Sequence, residues 1–263
     1  MQLAGPWVMG PPKDRDAALD VLRSARAAGI VHIDTSEAYG PRTVNEVIRE
    51  ALHPYAGDLF IATKVGGRRD AEGGWPAARQ PDEIRQQVDD NLETLGLDAL
   101  DLVHLRLGDA NGPVPGDMEE AFATLVDLQK QGVIHHLGVS NATAEQVAQA
   151  RSIAPIVSVQ NMYNLANRWD DDLIDDLAAA DIAYIPFFPL GGFTPLQSDA
   201  LTAVANRLRS TPMSVALAWL LQRSPNIMLI PGTSNREHLA ENIVGAGLHL
   251  TADNVAELEN LGR

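Results

Sequence analysis

The stretch that decides the fold is Gly29-Ile-Val-His-Ile-Asp34-Thr-Ser-Glu-Ala-Tyr39-Gly40. An apolar run with β-strand character ends at Asp34, and a short polar loop then presents Tyr39 beside a glycine. Two later apolar runs carry Lys64 and His104 at the equivalent place. Catalytic residues of parallel α/β barrels lie at the carboxyl ends of strands. The sequence therefore predicts that these four side chains converge on one rim.

Strand-like and helical segments alternate along the rest of the chain. Asp14, Pro81 and Thr143 mark three of the helix starts, and Gly29 and Gly96 mark two of the ends. We predict seven strands, each followed by a helix, at residues 30–33, 59–64, 100–105, 133–139, 156–160, 182–188 and 227–231. Near-continuous apolar strands alternating with helices predict a parallel sheet covered on both faces. At 263 residues, a single domain over 1–263 with a (β/α)8 TIM barrel is the leading fold.

Seven strands are one fewer than a closed barrel needs. Residues 1–4 are long enough for only the end of a first strand. We expect the N-terminal hairpin and most of the first strand to be missing from this chain. Because an open barrel exposes two strand edges, we also hypothesise that the natural protein or an ancestor begins further upstream.

The composition of the chain excludes several kinds of chemistry and partner. The chain has no cysteine, which excludes disulfides and thiolate catalysis, and no histidine pair has metal-ligand spacing, so we expect no metal. The formal net charge of −15 argues against nucleic-acid and anionic-membrane partners. The sequence has neither a membrane span nor a signal peptide, and we expect a cytoplasmic protein.

The four rim residues suit reduction of a carbonyl by hydride. A phenol has a pKa of about 10 and is a poor acid at neutral pH, but an adjacent ammonium lowers that pKa. Tyr39 would donate the proton, Lys64 would supply the ammonium, and Asp34 would hold Lys64 in place. His104 would donate a hydrogen bond to the same substrate oxygen. Considered alone, a buried Asp–Lys pair is structural about as often as it is catalytic, and a lone histidine in a strand is usually a core residue.

Three later segments have the character of ligand loops. Ser140 and Asn141 follow one strand and Gln160 ends the next, where they could orient a carboxamide or simply cap helices. Residues 231–236 leave the last predicted strand, pass a glycine and enter a helix, which is the usual barrel location for a phosphate. The chain lacks a G-x-G-x-x-G fingerprint, so a dinucleotide would have to lie across the rim.

Together these residues resemble the aldo-keto reductase superfamily from about Met1 to the C-terminus. The resemblance rests on Ile33-Asp34-Thr35, Tyr39-Gly40, Ala62-Thr63-Lys64, His104, Gly138-Val-Ser-Asn141, Gln160-Asn-x-Tyr-Asn164, Pro189-Leu190-Gly191, Ile230-Pro231 and Glu241-Asn242. It implies a barrel of the aldo-keto reductase type with Asp34, Tyr39, Lys64 and His104 as the catalytic tetrad. It also implies a cofactor site made by Ser140, Asn141, Gln160, Phe187, Pro189, Leu190, Gly191, Gly232, Thr233, Ser234, Arg236, His238, Glu241 and Asn242.

The cofactor implied by the resemblance is NADPH, with NADH possible. Gly232 stands where the family usually has a lysine, and His238 where it usually has an arginine that grips the 2′-phosphate of NADPH. Arg236 is in the same loop and could substitute. Phe187 replaces the usual tyrosine and can still stack on the nicotinamide ring.

Within the superfamily, several segments resemble the bacterial pyridoxal reductases, notably 65–69, 105–106 and 186–197. The implied partner is a small carbonyl substrate, most of all pyridoxal, and Phe187, Phe188 and Phe193 could stack on its ring. The alternatives are a general small-aldehyde reductase, a non-catalytic nucleotide-binding regulatory subunit, and a Schiff-base aldolase that uses Lys64. The sequence leaves the oligomeric state open.

Overall fold

Helices and strands alternate along the chain as the sequence predicts. The computed structural model describes residues 1–109, 112–192 and 198–259. In these residues the strands are β1 (His32–Asp34), β2 (Phe60–Val65), β3 (Leu100–Arg106), β4 (Ile134–Ser140), β5 (Ser158–Gln160) and β6 (Ala183–Tyr184). The helices are α1 (Arg15–Ala27), α2 (Thr43–Leu52), α3 (Pro81–Leu95), α4 (Glu119–Lys130), α5 (Ala144–Ile153), α6 (Asp171–Ala179), α7 (Asp199–Leu208), α8 (Pro212–Arg223), α9 (Arg236–Ala246) and α10 (Ala252–Glu259). A 3-10 turn at Pro6–Val8 precedes α1.

Local sequence signals set the helix ends. The Asp14 carboxylate accepts a hydrogen bond of 2.9 Å from the Ala17 N–H and caps α1. Helix α3 begins at Pro81 and ends at Gly96, whose φ of 69° is the left-handed conformation that glycine adopts most easily. Thr143 and Gln146 form a capping box at the start of α5. These three predictions are confirmed.

The strands are parallel and follow one another in the sheet in chain order, β1 to β6. Asp34 lies opposite Ala62, Lys64 lies opposite His104, and His104 lies opposite Gly138. Because side chains alternate between the two faces of a strand, Asp34, Lys64 and His104 all project from the same face of the sheet.

Two compact units make up the chain, and each is described by itself. The first comprises Met1–Val159 and Gly232–Arg236, and the second comprises Gln160–Pro231 and the residues from Glu237 onward. The predicted single domain stays a prediction. Helices cover the first unit's strands, with buried residues such as Val47, Ile84 and Leu125 on their inner faces. The second unit is built around a stack of Tyr163 on Trp219 at a ring distance of 5.9 Å.

A buried polar network joins the strands of the first unit to α2 and α3. The Asn45 carboxamide accepts from the Thr35 hydroxyl at 2.8 Å and donates to Asn91 and to Thr94 at 3.0 Å each. The Thr63 hydroxyl donates to the Asn91 side chain at 2.6 Å. Thr35 directly follows Asp34, and Thr63 directly precedes Lys64. Both threonines therefore project from the opposite face of the same strands. The network therefore fixes the two strand ends that carry the Asp–Lys pair.

Three strand predictions need correction. Of residues 227–231, only Ile227 makes a bridge, to Tyr184, so no seventh strand forms in the described residues. The run has only two-residue β6 to pair with, and Met228 is exposed. The predicted strand at 182–188 shortens to β6 because Pro186 has no N–H and Phe188 adopts a φ of 53°.

At the N-terminus, residues 1–4 form a turn in which the Ala4 N–H donates to the Met1 carbonyl at 3.1 Å. They are not the end of a strand. In the described ranges, no helix is both long and apolar enough to span a bilayer.

Candidate active site

The centre of the candidate site is an ion pair between Lys64 and Asp34. The Lys64 ammonium donates to Asp34 Oδ1 and, at 3.0 Å, to the carbonyl of Thr35. Both charged side chains are less than 10% exposed. The register explains their meeting, because Asp34 lies opposite Ala62 and Lys64 follows Ala62 by two residues on the same face. The structure brings these two predicted residues together.

Lys64 is held as a cation. Burial disfavours its charge, but the charges and hydrogen bonds of Asp34 and Tyr39 outweigh burial, so the pKa of Lys64 is raised. Its ammonium lies 5.4 Å from the centre of the Tyr39 ring. The predicted neighbourhood of phenol and ammonium is therefore present.

Tyr39 is placed by a tightly packed loop. Its N–H donates to the Ser36 carbonyl at 3.0 Å, and the next residue, Gly40, donates to the Val8 carbonyl at 3.0 Å. Gly40 has a φ of 66°, and a Cβ there would come within 2.7 Å of the Gly10 carbonyl oxygen. This close approach requires glycine and presses the segment around the 3-10 turn against the loop that holds Tyr39. The phenol is only 7% exposed.

His104 lies deeper than the prediction requires. It is fully buried, and its Nε2 is 2.9 Å from the hydroxyl of Ser158. Burial lowers the pKa of His104 to about 3, so the imidazole is neutral at physiological pH. A Cβ on Gly138 would lie 2.6 Å from the His104 ring, so Gly138 leaves the space that the histidine fills. The Nε2 atom therefore has a partner inside the protein, whereas Nδ1 is buried with none among the described residues, and the role of His104 toward substrate stays a prediction.

Three residues near Tyr39 were missed by sequence reasoning. The Trp75 ring meets the Tyr39 ring edge-on at 6.2 Å, with an interplanar angle of 77°. The guanidinium of Arg69 lies 4.1 Å from the centre of the Trp75 ring, and that of Arg106 lies 5.4 Å from it. A tryptophan in the Gly- and Arg-rich loop at 66–80 was the available signal for Trp75. For Arg106, the signal was a cation two residues past His104 at the end of the same strand.

The segment after β4 fits the carboxamide of a nicotinamide. Ser140 and Asn141 are both buried, and Asn141 has a φ of 55°. The Asn141 amide nitrogen donates to the Asp109 carbonyl at 2.7 Å, whereas its Oδ1 is buried with no hydrogen-bond partner among the described residues. An unpaired buried acceptor is costly, so this oxygen is suited to accept from a ligand N–H.

The loop predicted to hold phosphate is open to solvent in the first unit. Gly232, Ser234 and Arg236 are exposed, and Thr233 is half-buried. The Asn235 N–H donates to the Thr233 hydroxyl at 3.0 Å, which forms a turn leading into α9. Helix α9 begins at Arg236, so this turn leads into the N-terminus of a helix, the positive end of its dipole, beside a cation. The arrangement suits an anion.

The remaining predicted cofactor residues belong to the second unit. Gln160 is buried and Phe187 is half-buried, with its N–H donating to the Asn161 carbonyl at 2.9 Å. The Phe187 and Phe188 rings meet edge-on at 5.3 Å. The other members are buried or half-buried except for exposed His238; they are Pro189, Leu190, Gly191, Glu241 and Asn242. Phe193 lies outside the described residues. The cofactor roles of all these residues stay predictions.

No cluster of three or more histidine, aspartate or glutamate side chains in the described ranges could hold a metal ion.

Comparison with known proteins identifies the family. The family model described as "Aldo/keto reductase family" matches residues 1–263. The chain is 56% identical over 265 aligned residues to pyridoxine 4-dehydrogenase of Escherichia coli K12, covering 100% of this chain and 93% of that protein. It is 35% identical to an uncharacterized oxidoreductase of Schizosaccharomyces pombe, covering 100% of this chain and 85% of that one.

Solved structures show the same fold. The thermostable aldo-keto reductase Tm1743, solved with the inhibitor epalrestat, superposes with a TM-score of 0.82 at 28% identity, over 96% of this chain and 90% of that one. An aldo-keto reductase of Klebsiella pneumoniae, solved with NADPH, superposes with a TM-score of 0.80 at 23% identity, over 99% and 87%. The predicted fold class, a barrel of the aldo-keto reductase type, is confirmed, as is the prediction of an oxidoreductase. The chain belongs to the aldo/keto reductase family.

Proposed function

We propose that this protein is an NADPH-dependent reductase that converts pyridoxal to pyridoxine, with Tyr39 as the proton donor. The observation that carries the proposal is the buried Lys64–Asp34 pair beside Tyr39, in a chain 56% identical to a pyridoxine 4-dehydrogenase. The ammonium of the pair stabilises the phenolate that remains after Tyr39 gives up its proton. The choice of pyridoxal as substrate rests on the similarity to that relative.

The reaction adds a hydride to the carbonyl carbon and a proton to the carbonyl oxygen. A bound reduced nicotinamide supplies the hydride. Tyr39 gives its phenolic proton to the oxygen, and the adjacent Lys64 ammonium stabilises the phenolate left behind. Asp34 keeps Lys64 charged and fixed. The loop that packs Gly40 against Val8 and Gly10 holds the phenol at a defined position, which lowers the entropic cost of reaching the reactive geometry.

The residues of the first unit fit a nicotinamide dinucleotide. The buried Oδ1 of Asn141 would accept from the carboxamide N–H₂, with Ser140 beside it. The exposed Thr233–Arg236 turn would hold phosphate. We propose that NADPH is preferred over NADH because Arg236 supplies the cation that Gly232 and His238 do not.

The competing functions are less well supported. A Schiff-base aldolase needs a neutral lysine as nucleophile, whereas Asp34 and Tyr39 raise the pKa of Lys64 against the effect of burial. A regulatory subunit without catalysis would not need a buried ion pair beside a positioned phenol. A general small-aldehyde reductase shares the same site and differs only in the preferred substrate.

The decisive experiment follows the loss of NADPH absorbance with pyridoxal as acceptor, repeated with NADH, in the parent protein and in Tyr39→Phe. We expect Tyr39→Phe to lower kcat by about 10²- to 10⁴-fold while NADPH affinity, measured by fluorescence titration, stays unchanged. Tyr55→Phe is the matched control, since the Tyr55 hydroxyl donates to the Leu95 carbonyl at 2.7 Å, away from the site. It should keep the parental rate.

Three results would contradict parts of the proposal. Equal loss of turnover and NADPH binding in Tyr39→Phe would show that Tyr39 is not the acid. A parent that reduces other small aldehydes and leaves pyridoxal untouched would reject the substrate and favour the general aldehyde reductase. Comparable rates with NADH and NADPH would remove the assigned role of Arg236.

A further inference from the structure

Arg106 lies on the same strand rim as the four predicted catalytic residues and has no role among them. Arg106 ends β3 and follows His104 by two residues, so both project from the same face. His104 lies opposite Lys64, and Arg106 lies opposite Ser140. Arg106 is thus one step closer to the carboxyl end of the sheet, where barrel enzymes bind substrates.

Its surroundings connect Arg106 to the phenol. The guanidinium carbon is 5.4 Å from the centre of the Trp75 ring, and that ring meets Tyr39 edge-on. Burial lowers the pKa of Arg106, while the Tyr39 phenol and the Asp109 carboxylate oppose that shift. A guanidinium remains charged throughout the physiological range. Tyr39 therefore has a permanent cation near it in addition to Lys64.

Arg106 also retains donor capacity. Within the described residues its side chain donates a hydrogen bond of 3.2 Å to the Asp109 carbonyl. A guanidinium carries five N–H donors in a planar fork, so donors are left for an oxygen ligand. His104 differs in being fully buried and neutral, with its Nε2 engaged by Ser158.

We propose that Arg106 is a catalytic residue that donates a hydrogen bond to the same carbonyl oxygen that Tyr39 protonates. The inference rests on the proposed carbonyl reduction and identifies a further participant in it. As the carbonyl carbon accepts hydride from the reduced nicotinamide, the π electron pair moves onto oxygen. The guanidinium stabilises that negative charge until the oxygen takes the Tyr39 proton, and solvent then reprotonates the phenolate. The carbonyl is reduced and the nicotinamide is oxidised by the same two electrons.

The test compares Arg106→Met with Arg69→Met. Arg69 lies closer to Trp75 than Arg106 does, at 4.1 Å, so it controls for any effect that acts only through Trp75. We expect Arg106→Met to lower kcat by about 10²-fold, as loss of one oxyanion donor does, with a smaller change in KM. Arg69→Met removes the cation over Trp75 and a hydrogen bond to the Trp7 carbonyl but no donor to the substrate oxygen, so its loss of kcat should be about tenfold smaller than that of Arg106→Met.

A rescue measurement separates a direct role from a structural one. In Arg106→Ala, added millimolar guanidinium should restore part of kcat, whereas the same concentration of sodium chloride should not. The pH profile of kcat/KM in the parent should show no limb from His104, because burial keeps its imidazole neutral over the working range. Calorimetric titration of pyridoxal should show weaker binding to Arg106→Met than to Arg69→Met.

Several outcomes would overturn the assignment. A folded Arg106→Met with kcat within threefold of the parent would do so, as would equal losses in the Arg106 and Arg69 variants or an absence of guanidinium rescue. If the parent does not reduce pyridoxal, the proposed substrate fails, and the same variants are compared on a panel of small aldehydes. A parent active on that panel without dependence on Arg106 would reject this inference alone.

Discussion

The two faces of strands β1 and β2 carry two buried polar clusters with opposite characters. On one face, Asp34 and Lys64 form an ion pair beside Tyr39. On the other face, Thr35 and Thr63 belong to a network of neutral side chains centred on Asn45 and Asn91. The clusters come from adjacent residues in sequence and differ in the charge they bury.

The neutral network is closed, because its members satisfy one another. It extends to Gln87, whose carboxamide accepts from the Gly66 N–H at 2.8 Å and donates to the Ala78 carbonyl at 2.8 Å. This arrangement ties both ends of the 66–80 loop, which carries Trp75, to helix α3. The charged cluster faces the rim and is completed by a phenol that touches Lys64. Satisfied neutral groups stabilise a fold, whereas buried charge at a rim is costly and is typical of a functional site.

The largest effect is expected from breaking the ion pair. Lys64→Met leaves the Asp34 carboxylate buried without its ammonium, which should cost about 3–5 kcal/mol in the free energy of unfolding. It should also lower kcat/KM by about 10³-fold. Urea unfolding and the pyridoxal assay measure the two quantities.

A double variant separates those two effects. Asp34→Asn combined with Lys64→Met removes both charges, so stability should recover while activity stays low. Arg15→Met is the control, since the Arg15–Glu50 pair is almost half exposed and its loss should cost less than about 1 kcal/mol. Retained activity in the double variant would show that the pair is structural.

An intermediate effect is expected on the neutral face. Asn45→Ala removes the partner of Thr35 and the donor to Asn91, which should cost about 2–4 kcal/mol in the free energy of unfolding. Because Asn45 does not touch the charged cluster, kcat/KM should remain within about tenfold of the parent. Gln86→Ala, which removes an exposed hydrogen bond to Asp90, should cost less than about 0.5 kcal/mol. Complete loss of activity in a stable Asn45→Ala would contradict the assignment of catalysis to the charged face alone.

The smallest effect concerns His104, which lies on the charged face yet is neutral. Its pKa is about 3 when folded and about 6.5 when unfolded, so below pH 6.5 the unfolded chain binds a proton that the folded one does not. Stability contributed by His104 is therefore complete above pH 6.5 and is lost as the pH falls. Between pH 7.5 and 5.5 the loss should be about 1.4 kcal/mol.

Urea unfolding of the parent and of His104→Asn at both pH values isolates that contribution. Burial also lowers the pKa of His32, so His32 acts in the same direction in both proteins. An equal pH dependence in parent and variant would mean that His104 is not buried as a neutral group.

Much of the site was predictable because strand ends can be located from apolar runs. Asp34 and Lys64 were predicted to meet, and the strand register brings them together. Tyr39 was predicted near Lys64, and the phenol lies there. The depth of His104 was not predictable. Alternation shows which face a side chain occupies, whereas its level along the strand relative to a neighbour depends on the register between strands.

Trp75 could not be placed from sequence, because a loop of about fifteen residues has no periodicity to fix its course. Arg106 ends β3 on the same face as His104, and only the packing of that loop shows that it lies beside Trp75. The loop is set by contacts distant in sequence, from Gln87 and from Arg69, which donates to the Trp7 carbonyl at 2.8 Å. The neutral network was equally invisible, because Asn and Thr in helices and strands read as ordinary solvent-facing residues.

The sequence by itself determined the order of strands and helices, the helix caps and the residue types at the strand ends. These features depend on local periodicity and on interactions within about four residues. Only the tertiary structure decided which of those residues are charged, which are buried and which face the phenol. Register, burial and pKa arise from contacts between segments far apart in the chain, as in the pairing of Lys64 with Asp34 and the burial of His104 against Ser158.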